Sequence, residues 1–262
     1  MADPDLARLR AEAAERARAR PRLPFDGTVS DDTVGGVPAR YYRPARAAHP
    51  ETGVVFLHGG YGVLGDLELQ DAYARRIAGT LGVLVLSLAY RLAPEFLLAG
   101  SAADAVAGAD VTRAAGVERV VLWGDSAGGA VALAAARSAR VDGLVLTNPN
   151  IDLSLSRYDD AAPGGPGREL SEWAFSRWAG VARLADAPDL AADISRLPPV
   201  FAAVGSEDSL LPDAQHLVER CAHAGVRATL RVVPGASHGF MGGPDTAVAE
   251  AIIGEAGRFI ID

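Results

Sequence analysis

The chain repeats one pattern along most of its length: a short apolar run, rich in β-branched residues, followed by an Ala-rich stretch of helical character. The runs are Val54–Leu57, Val83–Leu88, Val120–Trp123, Leu144–Thr147, Val200–Val204 and Thr229–Val233. They are apolar at consecutive positions rather than alternating ones, which suits strands buried on both faces, as in a parallel sheet. The intervening segments, about 67–80, 101–115, 127–139, 209–224 and 246–260, then become the crossover helices. Strand and helix in alternation predict an α/β fold: a doubly wound, mostly parallel sheet flanked by helices on both sides. A chain of 262 residues without a Pro/Gly/Ser linker reads as one domain, 1–262.

Two segments fall outside the pattern. At the N-terminus, 4–20 reads as a helix with Asp3 as N-cap and Pro4 at its first position. Its arginines at 8, 10, 16, 18 and 20, interleaved with Glu12 and Glu15, read as a solvated face. Residues 28–42 then form a hairpin turning at Gly35–Gly36. The second break is 152–199, which holds a Gly/Pro cluster at 163–167 and the aromatics Trp173, Phe175 and Trp178. Together with about 1–25, this insertion is expected to form a short lid over the strand ends, where open α/β sheets bind ligands. Alternatively, its aromatics only seal a hydrophobic flank.

Composition removes several chemistries. The formal net charge is −8, which argues against a nucleic-acid partner. All 25 basic residues are Arg, so a Schiff-base lysine, a pyridoxal phosphate enzyme and a lysine-bearing phosphate loop are excluded. A lone cysteine, Cys221, cannot close an intrachain disulfide. No apolar run is long enough to cross a bilayer and no secretory signal opens the sequence, so a cytoplasmic location without stable membrane insertion is expected.

The chemistry is carried by Gly124-Asp125-Ser126-Ala127-Gly128-Gly129, set between the run Val120–Trp123 and a helix. A sharp strand-to-helix turn with small residues two before and two after the Ser holds its hydroxyl clear of the sheet, near the positive end of a helix. Without a base, a neutral Ser is a poor nucleophile. Five histidines are available. His49 and His58 precede the Ser, and His216 and His223 share one helical segment. His238 sits in the loop Gly235–Gly239 after the last apolar run, at the same sheet edge as Ser126. The orienting acid belongs after Val200–Val204. Glu207, Asp208 and Asp213 are all within reach, and spacing favours Asp208 without excluding Glu207. His58-Gly59-Gly60-Tyr61-Gly62 follows Val54–Leu57 and brings backbone amides toward a substrate. With the Ala127 amide, they are candidate donors to an oxyanion. No spacing near His58 suggests a metal site, and the chemistry needs no cofactor.

Four blocks, taken in order, resemble the hormone-sensitive-lipase-like branch of the α/β hydrolases, which includes bacterial esterases and arylacetamide deacetylases. They are His58-Gly59-Gly60, Tyr90-Arg91-Leu92-Ala93-Pro94-Glu95, Gly124–Gly129, and Asp208-Ser209-Leu210 with His238-Gly239-Phe240. The resemblance implies the α/β-hydrolase fold and a serine carboxylesterase acting on small esters; the lack of a broad apolar surface in the sequence points to short acyl chains. In that reading Ser126, Asp208 and His238 are the triad, Gly60 and Tyr61 are the main oxyanion donors with Gly59 in the same loop, and 90–95 is a structural turn. Tyr61 stands where the family usually has a third Gly, and Ser237 where it often has Pro. Rival readings on the same residues are an amidase, a transacylase or a biosynthetic tailoring hydrolase. A receptor of this fold without activity is disfavoured by the complete set Ser126, Asp208, His238. The edge run Thr229–Val233 leaves a homodimer open.

Overall fold

The consecutive apolar runs become strands because every second side chain goes to an opposite layer. In β3 (Thr52–Leu57), every position is buried. Val54 and Phe56 join one core with Tyr73, Ile77 and Ile253, while Val55 and Leu57 join another with Ala105, Val131 and Leu217. The same division runs through β5 (Arg119–Asp125), where Val121 and Trp123 face the first core and Val120 and Leu122 the second. Burying side chains of this size contributes about 1.5–3 kcal/mol each, so both layers are needed to hold the sheet.

The computed structural model of the chain describes residues 4–20, 22–242 and 246–261. Among them, eight strands form one sheet in the order β1-β2-β4-β3-β5-β6-β7-β8. The remaining strands are β1 (Gly27–Val34), β2 (Val37–Pro44), β4 (Leu84–Leu88), β6 (Gly143–Thr147), β7 (Val200–Gly205) and β8 (Ala228–Val233). β1 and β2 pair antiparallel, as do β2 and β4; the other neighbours are parallel. The expected hairpin is β1–β2, with Gly35 at φ 61 and Gly36 at φ 88, two left-handed residues in succession as its tight turn requires. β8 is an open edge.

The helices are α1 (Leu6–Ala19), α2 (Asp71–Leu81), α3 (Leu98–Ala114), α4 (Ala127–Ala135), α5 (Arg168–Ala179), α6 (Leu211–Ala224) and α7 (Thr246–Ile261). Cores shared with α2 and α7 lie on one face of the sheet; those shared with α3, α4 and α6 lie on the other. One reading of the sequence needs correction. Helix α1 starts at Leu6, capped by Asp5, whose carboxylate accepts from the Arg8 amide at 3.0 Å; Pro4 precedes the helix, and Asp3 lies outside the described residues. A cap must sit three residues before an amide it can accept from, and Asp5 does so here.

For the insertion the sequence left two readings, a lid and a sealed flank, and its aromatics follow the second. Phe175 and Trp178 are fully buried and Trp173 nearly so, all in the core on the α3 side. The Trp178 indole N–H donates to Ser101 Oγ at 3.0 Å. None of the residues lining the main cavity comes from 152–199. The insertion therefore seals a flank and braces the loop after β7, where the Gly164 amide donates to the Glu207 carbonyl. The cover of the cavity comes from α1 and the residues after it, through Ala17, Arg18, Arg20, Arg22 and Leu23.

Candidate active site

β5 ends at Asp125 and α4 begins at Ala127, leaving Ser126 alone in the turn at φ 53, ψ −116. This left-handed conformation is costly for a non-Gly residue and persists only when its surroundings impose it. They do so here by close packing. A Cβ on Gly124 would strike the Gly128 carbonyl, and one on Gly128 would strike the Leu57 carbonyl. The Ser126 amide donates to the Thr147 carbonyl at 2.8 Å, and its carbonyl accepts from Gly129 and Asn150.

The loops after β7 and β8 bring the other two side chains to the same edge. Ser126 Oγ lies 3.0 Å from His238 Nε2, and His238 Nδ1 lies 2.9 Å from Asp208 Oδ2. Asp208 is buried, and its other oxygen accepts from the Leu210 amide at 3.0 Å. A carboxylate at Nδ1 fixes the proton on that nitrogen and leaves Nε2 free to accept from the serine hydroxyl. Of the two other acids in reach, Glu207 is exposed and Asp213 is buried elsewhere, accepting from the Ile151 and Asp152 amides and from Arg157. His216 and His223 lie on α6, the first 3.7 Å from Asp189 and the second against the Glu219 carbonyl.

The glycine loop after β3 is built from below. His58 is fully buried, stacked on Tyr90 at 4.4 Å, and burial pushes its pKa down, so it is a neutral structural ring. The Tyr90 hydroxyl donates to the His58 carbonyl at 2.7 Å. Gly59 departs from its expected role. Its amide donates to Gln70 Oε1 at 2.9 Å and is not free for a substrate. Gln70 Nε2 in turn donates to Asp125 Oδ2 at 2.6 Å, while Thr147 donates to the other oxygen of Asp125. Burial raises the Asp125 pKa. The amides of Gly60, Tyr61 and Ala127 have no acceptor among the described residues. Tyr61 holds φ 59, and its hydroxyl accepts from the Gly167 amide at 3.0 Å, tying the loop to the start of α5.

Three contributors were not legible in the sequence. Gln70 is one. Asn150 is another, with its side-chain amide 3.3 Å from Ser126 Oγ; the signal for it was a polar residue just past the carboxyl end of β6. The third is Arg10, whose guanidinium donates to the Val63 and Ala93 carbonyls and to both oxygens of Glu95. It does not belong to a solvated face. The 90–95 turn thus props the glycine loop through Tyr90 and anchors α1 through Ala93 and Glu95. Arg8 and Arg16 do sit exposed beside Glu12.

A cavity of about 920 Å³ opens over Ser126 and His238, walled by Gly59, Gly60, Tyr61, Gln70, Arg76 and the N-terminal segment. No cluster of three metal-ligating side chains occurs among the described residues, and no helix there is long and apolar enough to cross a membrane.

A sequence profile of the α/β-hydrolase fold matches residues 54–242. Esterase LipI of Mycobacterium tuberculosis is 31% identical over 249 residues, covering 87% of this chain and 78% of its own. Ethyl acetate hydrolase of Pseudomonas putida is 30% identical, covering 78% and 71%. The crystal structure of an esterase from the bacterial hormone-sensitive lipase family superposes with a TM-score of 0.79 over the whole of both chains, at 28% identity. The match over strands, elbow and glycine loop together means that this chain belongs to the α/β-hydrolase fold family, in its hormone-sensitive-lipase-like branch.

Proposed function

We propose that the chain is a serine carboxylesterase acting on small esters, with Ser126 as nucleophile, His238 as general base and acid, and Asp208 as the group that orients the imidazole. The reading is carried by one observation: a single imidazole bridges a strained, cavity-facing serine at 3.0 Å and a buried carboxylate at 2.9 Å. Relatives named as esterases and carboxylic ester hydrolases support the reaction class.

In the first step Ser126 Oγ attacks the ester carbonyl as its proton passes to His238 Nε2. Negative charge then collects on the former carbonyl oxygen. The amides of Gly60, Tyr61 and Ala127 are the donors for it, and Gly59 acts only by fixing the loop through Gln70. Asp208 stabilises the imidazolium that forms. His238 returns the proton to the departing alcohol and leaves an acyl-Ser126. Water then enters and attacks the acyl carbon as its proton passes to His238, which returns that proton to Ser126 Oγ as the acid leaves. A short acyl group suits the site because Leu23 and Leu69 supply the large aliphatic lining, with Tyr61 on the loop beside Ser126.

The test is Ser126→Ala assayed on p-nitrophenyl acetate. Turnover is expected to fall by about 10³-fold or more with circular dichroism and thermal melting nearly unchanged. Wild-type-like turnover by that variant would remove the assignment.

A further inference from the structure

The wall of the catalytic cavity holds more positive charge than the chemistry at Ser126 requires. Arg18, Arg20, Arg22 and Arg76 all line it. The acidic side chains in the same wall are already engaged. Glu68 accepts from Arg22 and Arg40; Asp71 from Arg40, Arg75 and Tyr42; Asp125 from Gln70 and Thr147. Of the four arginines, Arg22 alone has a carboxylate partner among the described residues. Arg20 reaches only the Leu69 carbonyl, at 3.2 Å, and Arg18 makes no hydrogen bond or ion pair there.

Arg76 is the most informative. It sits on α2, half-buried, and its Nη1 donates to the Met241 carbonyl at 2.9 Å, which sets the guanidinium plane. Its Nε is buried and has no acceptor. A buried donor without an acceptor is costly, and such groups are rare unless a ligand or solvent completes them. The free edge of a guanidinium, Nε with Nη2, matches the two oxygens of a carboxylate. In a chain of net charge −8, three guanidinium groups without carboxylate partners around one cavity are a local reversal of sign.

We propose that the cavity selects esters that carry a second, ionised carboxylate, which Arg76 binds while the exposed Arg18 and Arg20 steer it in at the rim. This rests on the esterase reading and names its substrate class. A charge-assisted, bidentate contact discriminates strongly against a neutral analogue, and the rim contribution weakens as salt screens it.

The experiment compares kcat/KM at pH 7.5 within two matched pairs. Monomethyl glutarate against dimethyl glutarate places the charge on the acyl side. 4-Acetoxybenzoate against its methyl ester, followed by phenol release, places it on the leaving side. In at least one pair the anion is expected to be preferred by about tenfold or more at low salt. Arg76→Gln should then lower that preference by at least about tenfold, and Arg18→Ala should lower it two- to threefold and flatten its salt dependence. Equal rates in both pairs, or a preference that survives Arg76→Gln, would overturn the proposal and leave the esterase reading standing. Binding of monomethyl and dimethyl glutarate to the Ser126→Ala protein, by calorimetry, supplies a readout free of turnover. Tighter binding of the anion, weakened about four- to ninefold on adding Arg18→Ala and Arg20→Ala together, supports the proposal even if Arg76→Gln fails to fold. Indifference to charge overturns it. Failure of the wild-type protein to cleave any of the four esters would instead count against the esterase reading, with calorimetry still deciding the charge preference.

Discussion

The floor and the cover of the catalytic cavity are held in different ways. On the floor, strand ends and glycine turns fix Ser126, Asp208 and His238, the proposed reacting groups, from the main chain outward. Ser126 is locked by its own amide and by glycines that pack against neighbouring carbonyls, and Asp125, Gln70 and Gly59 form one hydrogen-bonded line beneath it. The cover is α1, a helix whose buried residues, Ala13 and Ala17, are small. Its polar attachment runs through Arg10, to two carbonyls and Glu95, beside the apolar contact of Leu6 with the core. Thus the floor resists change by packing, whereas the cover depends on a few long polar contacts that cost side-chain entropy to maintain.

The contrast breaks first at Gln70. Gln70→Ala frees the Gly59 amide and removes a donor from the buried Asp125, so the donor loop loses its fixed geometry. Turnover of p-nitrophenyl acetate is expected to fall about 10- to 100-fold, mostly in kcat, with KM changed less than about threefold. A drop confined to KM would mean that the line beneath Ser126 is not part of the floor.

Arg10→Ala acts on the cover instead. It is expected to raise KM about three- to tenfold, leave kcat within about twofold, and hasten proteolytic cleavage near residues 6–24. A kcat loss equal to that of Gln70→Ala would show that floor and cover are one unit.

The smallest effect belongs to Asp31, on the exposed face of the β1–β2 hairpin, which meets the cavity wall through Arg40. Hydrogen bonding from the Arg40 guanidinium holds its carboxyl below the usual range. A carboxylate with a lowered folded pKa adds stability above its unfolded value, near pH 4, and that stability is lost as pH falls through the folded value. Asp31→Asn should therefore lower the melting temperature slightly at pH 7, by well under 1 kcal/mol because Asp31 itself is exposed, and by less near pH 2. An equal drop at both pH values would point to lost packing instead.

The same division explains what could be read from the sequence. Gly124, Gly128 and Ser126 are dictated by main-chain geometry in one short segment, so their pattern is local and visible. The alternating strands are visible for a similar reason: burial on two faces demands apolar residues in sequence at β3 and β5. Gln70, Asn150 and Arg10 act across the fold, joining segments 11 to 85 residues apart; nothing local marks Gln70 or Arg10, and Asn150 is marked only by its place just past β6. Gly59 misled for that reason, since its amide is claimed by a helix-end side chain of α2. The insertion was ambiguous for another reason: Trp173, Phe175 and Trp178 fit a lid or a flank equally well in the sequence, and only the packing of α5 shows them in the core.

The central claim is that the His238 imidazole makes the Ser126 hydroxyl a nucleophile, and reaction with a fluorophosphonate, followed by peptide mass mapping, tests it most directly. The adduct is expected on Ser126 in the wild-type protein, absent from Ser126→Ala, and formed at least about 10²-fold more slowly in His238→Ala. Labelling of another residue, or an undiminished rate in His238→Ala, would contradict the account.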